Sequence, residues 1–210
     1  MTTIEEVTEL LDWKHTIFDL YSEVRGASDT RAVWAKWRAV RDELFASHPQ
    51  SPVASTERDR FGGLDYFAYD PHARVLGTVA GARPETYEIA TSGSETMTFT
   101  RFGVVTFELG GRAFQLELYW LESYGGGLFV PFRDATSGAE TYGAGRYLID
   151  SVKGADLGID DGRLVLDFNF AYNPSCAYDP KWVCPLVPSA NRLEVAVRAG
   201  EKNPRPALRY

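Results

Sequence analysis

The hydrophobic rhythm of the chain changes once, near residue 50, and that change predicts its architecture. Before it, Ile4, Val7, Leu11 and Phe18 recur at spacings of three, four and seven, widened by Leu10 and Tyr21. The spacing predicts a helix over residues 3–25. Thr3 and Glu6 fit a capping box, in which the hydroxyl accepts a free backbone N–H and the carboxylate reaches back to the cap. Gly26 closes the segment. A second helix is expected from Asp29 to Ser47, its face made of Val33, Trp37, Val40 and Leu44, with Ser28 or Asp29 as cap. His48-Pro49 ends it, because proline disfavours helical geometry in the residue before it.

After Pro52 the period falls to two. Short runs rich in Val, Phe, Tyr and Thr, divided by glycines, read as strands. They are Arg74–Ala80, Thr86–Thr91, Thr96–Phe102, Val104–Leu109, Ala113–Leu121, Leu128–Phe132, Arg146–Asp150, Arg163–Tyr172 and Leu193–Arg198. Gly110-Gly111 supplies the positive φ angles of a tight antiparallel hairpin. So many short strands without intervening helices predict a mainly β fold: an antiparallel β-barrel or sandwich of eight or nine strands, with two N-terminal α-helices packed against it. The expected organisation is a helical pair at 1–52, a β domain at 61–202 and a loosely ordered tail at 203–210, together one compact unit.

Composition narrows the function classes. The chain has 210 residues, with 22 Lys and Arg against 29 Asp and Glu, a net charge of −7. That balance argues against a nucleic acid or an anionic membrane as the main partner, and it favours solubility. No apolar run is long enough to span a bilayer, and the acidic start Met1-Thr-Thr-Ile-Glu-Glu lacks the basic and apolar regions of a secretory signal. A cytoplasmic location is expected. Cys176 and Cys184 match neither a zinc site nor a C-x-x-C redox pair. They read as reduced thiols, with a local disulfide or a catalytic thiol as alternatives.

Two segments carry candidate chemistry. In Arg163–Tyr172 an unbroken strand would put Asp167 and Asn169 on one face, together with Asn173 if the strand runs on. That face is either simply wet or a shared polar network. The strand leads into 172–188, where prolines, both cysteines and several aromatics make a stiff segment suited to cover one end of the sheet. The second segment is Phe132–Tyr147, which crowds Arg133, Asp134, Glu140, Tyr142 and Arg146 around a glycine turn. Arginine beside carboxylates there is an internal ion pair or a binding site for an anion. Gly125-Gly-Gly127 lacks the Lys-Ser/Thr of a phosphate loop, and the three histidines are too scattered for a recognisable metal cluster. No metal and no cofactor is called for.

Glu140-Thr-Tyr-Gly-Ala-Gly-Arg-Tyr-Leu148, Leu166-Asp-Phe-Asn-Phe-Ala-Tyr-Asn-Pro-Ser-Cys176, Cys184-Pro-Leu-Val-Pro-Ser-Ala-Asn-Arg-Leu193 and Ala199-Gly-Glu-Lys202 occur in that order. With Gly63-Leu-Asp-Tyr-Phe67 and His48-Pro-Gln-Ser-Pro52, the chain from Trp37 to Lys202 resembles the bacterial and archaeal family known as domain of unknown function 1684. It looks like a short form carrying two helices in front. The resemblance implies no reaction and no cofactor. It places Tyr142, Arg146, Asp167, Asn169, Asn173, Cys176, Cys184 and Asn191 at motif positions.

These readings converge on a non-catalytic barrel that binds a small ligand beneath the 172–188 segment, through Tyr142, Arg146, Asp167, Asn169, Asn173 and Cys176. The alternatives are an enzyme of hydrolase or transferase type using Asp, Arg and Cys at the same place, and a protein-interaction module. A small molecule is the expected partner, and a homo-oligomer is compatible with the sequence.

Overall fold

The computed structural model describes residues 3–122 and 125–204. Helix α1 spans Ile4–Gly26, and the Thr3/Glu6 capping box is formed in both directions, with bonds of 3.1 and 2.8 Å. Helix α2 spans Thr30–Ser47, capped by the Asp29 carboxylate on the Ala32 N–H at 3.0 Å. The buried side of α1 differs from the expected one. Ile17, Leu20 and Tyr21 are buried and Trp13 and Val24 partly so, whereas Ile4, Val7, Leu10, Leu11 and Phe18 are exposed. At a hundred degrees per residue the covered stripe is rotated roughly a third of a turn from the most regular one. The surface that α1 meets decides which side is buried.

The strands are fewer and two of them are longer than the glycine spacing suggests. β1 (Arg74–Ala90) and β2 (Thr96–Leu109) each fuse two expected strands, with register shifts at Gly81/Glu85 and Arg101/Gly103. Gly103 is a point of close approach: a Cβ there would stand 2.9 Å from the Ala80 carbonyl oxygen. A glycine inside a strand marks a bulge here, where the sequence pattern suggests a turn. β2 and β3 (Arg112–Leu121) meet at the expected hairpin, with Gly110 and Gly111 at φ +59° and +74°. β4 (Leu128–Phe132), β5 (Arg146–Asp150), the two-residue β6 (Ile159–Asp160) and β7 (Arg163–Asp167) complete the set.

All pairings are antiparallel, in the order β5-β4-β3-β2-β1-β7-β6. The sheet is open, so the expected barrel is not formed. β5 and β6 are the edges, and β5 is covered by isolated bridges from Tyr147 to Tyr172 and from Asp150 to Ala155. The fold is mixed, roughly 30% helix and 34% strand, where a mainly β fold was expected.

Two expected strands are corrected. The strand expected over Arg163–Tyr172 stops at Asp167, whose carboxylate caps a 3₁₀ turn at Phe168–Phe170. Both of its faces are buried, because the helical pair covers the side that an exposed sheet would wet. Trp37 is fully buried there, edge-on to Phe170 at 5.2 Å and to Tyr66 at 5.6 Å. Trp34 adds an indole N–H bond to the Asn169 carbonyl at 3.0 Å. The segment expected as a strand over Leu193–Arg198 is irregular: the Leu193 N–H and the Val195 carbonyl bond the backbone of Arg133 and Ala135, and Val197 then pairs with side chains. In the expected tail, Asn203 is held by Glu140 and Ala139 carbonyls, each at 3.0 Å. Residues 205–210 lie outside the described ones.

Candidate functional site

The six residues expected to converge are divided among different places. Arg146 is a buried staple. Its guanidinium donates to the carbonyls of Val197 (2.9 Å), Glu201 (3.2 Å) and Ala199, stands 3.4 Å from Asp134, and covers the Phe132 ring. The Asp134 carboxylate in turn accepts from the Val197 N–H. Burial pushes Arg146 down to about 10, against the pull of Asp134 and Glu201. This pairing takes up the Val197 N–H and the carbonyls of Val197, Ala199 and Glu201, groups that a continuing strand would need. Glu140, the other carboxylate of that turn, pairs on the surface with Arg198 at 2.9 Å.

Asp167 and Asn169 do share a network, but it faces inward. Asn169 donates to Asp167 at 2.8 Å, donates to the Asp70 carbonyl at 2.8 Å and accepts from the Asp70 N–H at 2.9 Å. Both ends of its amide are used, which clamps residue 70 to the 3₁₀ turn. Asp167 also lines a separate cleft between α1, α2 and the β6–β7 edge. Burial raises its pKa, and the Asn169 amide bond opposes the rise. Asn173 holds the chain end: it donates to the Lys202 carbonyl at 2.7 Å, and its N–H bonds Glu201 at 3.1 Å.

Tyr142 and Cys176 do meet. They line one cleft of about 370 Å³, walled by the Gly138–Gly143 turn on one side and by Ala177, Tyr178 and Pro180 on the other, with Asn203 and Pro204 completing it. The Tyr142 hydroxyl stands 3.8 Å from the Cys176 sulfur. Both walls are braced. Thr136 and Thr141 hydroxyls bond at 2.9 Å inside the turn, while Pro185 bridges Thr91 and Leu186 bonds Ala90 across the sheet end. The stiff 172–188 segment therefore caps the end of β1, as its proline content suggests.

Cys176 and Cys184 are both free thiols. Ser92 ties Cys184 to the β1–β2 turn: its hydroxyl accepts from the Cys184 N–H at 3.0 Å and donates to the Trp182 carbonyl at 3.0 Å, and its own N–H bonds the Cys184 carbonyl at 2.8 Å. The influence of the Cys184 thiol, helped by the Tyr142 hydroxyl, holds the Cys176 thiol down to about 6 despite its burial. Cys184 is driven the other way, first by the Cys176 thiol and then by burial, so it keeps its proton. Burial and the neighbouring Cys176 raise Tyr142, which stays a hydroxyl. At neutral pH the arrangement is a Cys176 thiolate beside the Tyr142 hydroxyl. Sequence spacing picked out Tyr142 and Cys176. Ser92 carried no local signal, since the fold brings it in from a turn far away in the chain. Among the described residues, no three His, Cys, Asp or Glu side chains are placed to hold a metal ion.

The fold is an open seven-stranded antiparallel sheet with two N-terminal helices. The chain belongs to the family described as protein of unknown function DUF1684, whose model matches residues 59–202. The match begins after both helices, later than the Trp37 start expected from the motifs. The chain is also similar to an uncharacterised protein of Haloarcula marismortui solved by solution NMR. The two share 38% identity over 85% of this chain and 97% of the other, with a TM-score of 0.59. No curated protein matches.

Proposed function

We infer that the protein binds a small molecule in the cleft between the 138–143 turn and the 176–180 segment, against the Cys176 thiolate. The observation that carries this reading is the convergence of Cys176 and the Tyr142 hydroxyl on one braced, solvent-connected cleft of about 370 Å³. That volume is at the lower end of small-molecule sites, and the lining mixes apolar walls with a few placed polar groups. The ligand class that fits is small and polar, with a hydrogen-bond acceptor for Tyr142 and an electrophilic or donor atom facing sulfur. Arg146, Asn169 and Asn173 serve the scaffold in this reading, and Asp167 belongs to a different cleft.

The test is native mass spectrometry of the chain purified from its own cells, beside an Ala177→Trp variant that fills the cleft. The reading expects a bound small mass on the natural chain and none on the variant, with the same circular dichroism. An identical bound mass on both would place the ligand elsewhere and overturn it.

A further inference from the structure

Asp167 is only 2% exposed, yet its side chain lines the cleft between α1, α2 and the β6–β7 edge, a space of about 370 Å³ that shares no lining residue with the Cys176 cleft. One carboxylate oxygen accepts two bonds from Asn169, at 3.0 and 2.8 Å, and among the described residues the other has no hydrogen-bond partner. Arg74 is its cross-strand neighbour in the β1–β7 register, but the two make no ion pair: the Arg74 guanidinium turns to Asp160 at 3.3 Å. A second guanidinium lines the same space. Arg25 donates to the Asp156 carbonyl at 2.8 Å, and its stem lies against Gly158, where a Cβ would stand 3.1 Å from its Cδ. Each guanidinium is occupied at a single nitrogen, which leaves donors facing outward from those bonds. The rest of the lining is largely apolar, with Val24, Val33, Leu157, Val165 and Phe170.

A buried carboxylate with an unfilled oxygen calls for a donor. A simple cation there would also meet two guanidiniums, and a simple anion would meet Asp167. A molecule that carries both signs satisfies each side, and the apolar wall accepts an apolar side chain. We propose that this cleft binds a small zwitterion, an α-amino acid with an apolar side chain, its ammonium on the free Asp167 oxygen and its carboxylate on Arg74 and Arg25. The site is separate from the Cys176 cleft, and either can exist without the other.

The test is amide NMR of the isotope-labelled full chain titrated with L-leucine and L-phenylalanine. Each amino acid is compared with the acid that lacks its ammonium and the amine that lacks its carboxylate (isocaproate and isoamylamine for leucine). At least one amino acid should shift the Thr30, Leu157 and Ile159 amides saturably, and its one-charge analogues should bind at least about tenfold more weakly. Ala177→Trp, which fills the other cleft, should leave this response unchanged. Arg74→Gln should weaken the amino acid at least about tenfold without weakening the amine. Asp167→Asn should weaken the amino acid and strengthen the acid, a reversal that loss of a purely structural carboxylate would not produce. Should Asp167→Asn fail to fold, Arg74→Gln, at a partly exposed position, carries the test. No shift with either amino acid, an analogue that binds as tightly as its parent, unaltered binding by Arg74→Gln, or shifts confined to Tyr142 and Ala177 would each overturn the proposal.

Discussion

The Arg41 guanidinium lies 2.8 Å from the Glu201 carboxylate, with both side chains buried between α2 and the end of the chain. Arg41 also covers the Trp37, Phe45 and Tyr172 rings and donates to the Tyr66 hydroxyl at 3.1 Å. Helix, sheet and C-terminal motif therefore meet at one ion pair. Its desolvation is heavy: burial raises Glu201 to about 7, and the Arg41 attraction recovers only part.

That shift has a pH signature. Glu201 holds its proton more tightly when folded than when unfolded, where its pKa is near 4.5. Its contribution to stability is complete below that value and is lost as pH rises through about 7. The difference is on the order of 2–3 kcal/mol. Urea unfolding of the natural chain and Glu201→Gln across pH 5 to 8 should show the natural chain losing stability relative to the variant. Parallel curves would contradict the assignment.

Trp37 joins α2 to Phe170 and Tyr66 with no exposed surface. Replacing it by alanine should cost about 3–5 kcal/mol, from lost burial plus the cavity left behind. The midpoint of urea denaturation measures this.

Arg146→Met should cost about 3–5 kcal/mol, because it strands the buried Asp134 carboxylate and frees the carbonyls of Val197, Ala199 and Glu201. Adding Asp134→Asn removes the stranded charge, so the double variant should lose less than the sum of the two single losses. Thermal unfolding of the four proteins of that cycle decides the point. Additive losses would argue against the pairing.

Gly103→Ala should destabilise by about 1–3 kcal/mol, since its methyl group meets the Ala80 carbonyl oxygen and neither backbone can yield easily. A neutral substitution, read by the same unfolding curves, would show that the bulge is looser than its geometry.

The helices were legible because their caps are local: Thr3, Glu6 and Asp29 act within one turn. Which side of α1 is buried was not, because Trp13, Ile17 and Leu20 are covered by partners that local spacing does not reveal. The hairpin and the edge strand β5 followed from alternation and glycines, whereas the two-residue edge β6 carries no pattern of its own. The same glycines misled inside β1 and β2, where Gly81 and Gly103 bend strands without ending them. Alternation at Leu193, Val195 and Val197 imitated a strand, but Val197 is taken by the Arg146 and Asp134 side chains, more than fifty positions away, and only Leu193 and Val195 find backbone partners. At the site, Tyr142 and Cys176 were visible from their glycine and proline surroundings. The Ser92 tether to Cys184 depends on the 172–188 segment folding onto the end of β1, which no local pattern encodes.

The most direct test of the thiolate cleft is the rate of Cys176 alkylation by iodoacetamide in the folded chain, followed by peptide mass spectrometry from pH 5 to 10. The account predicts that Cys176 reacts well below the ordinary thiol range, with an apparent pKa near 6, that Tyr142→Phe shifts it upward, and that Cys184 stays unmodified. Labelling that begins only above pH 9, or equally at both cysteines, would contradict it.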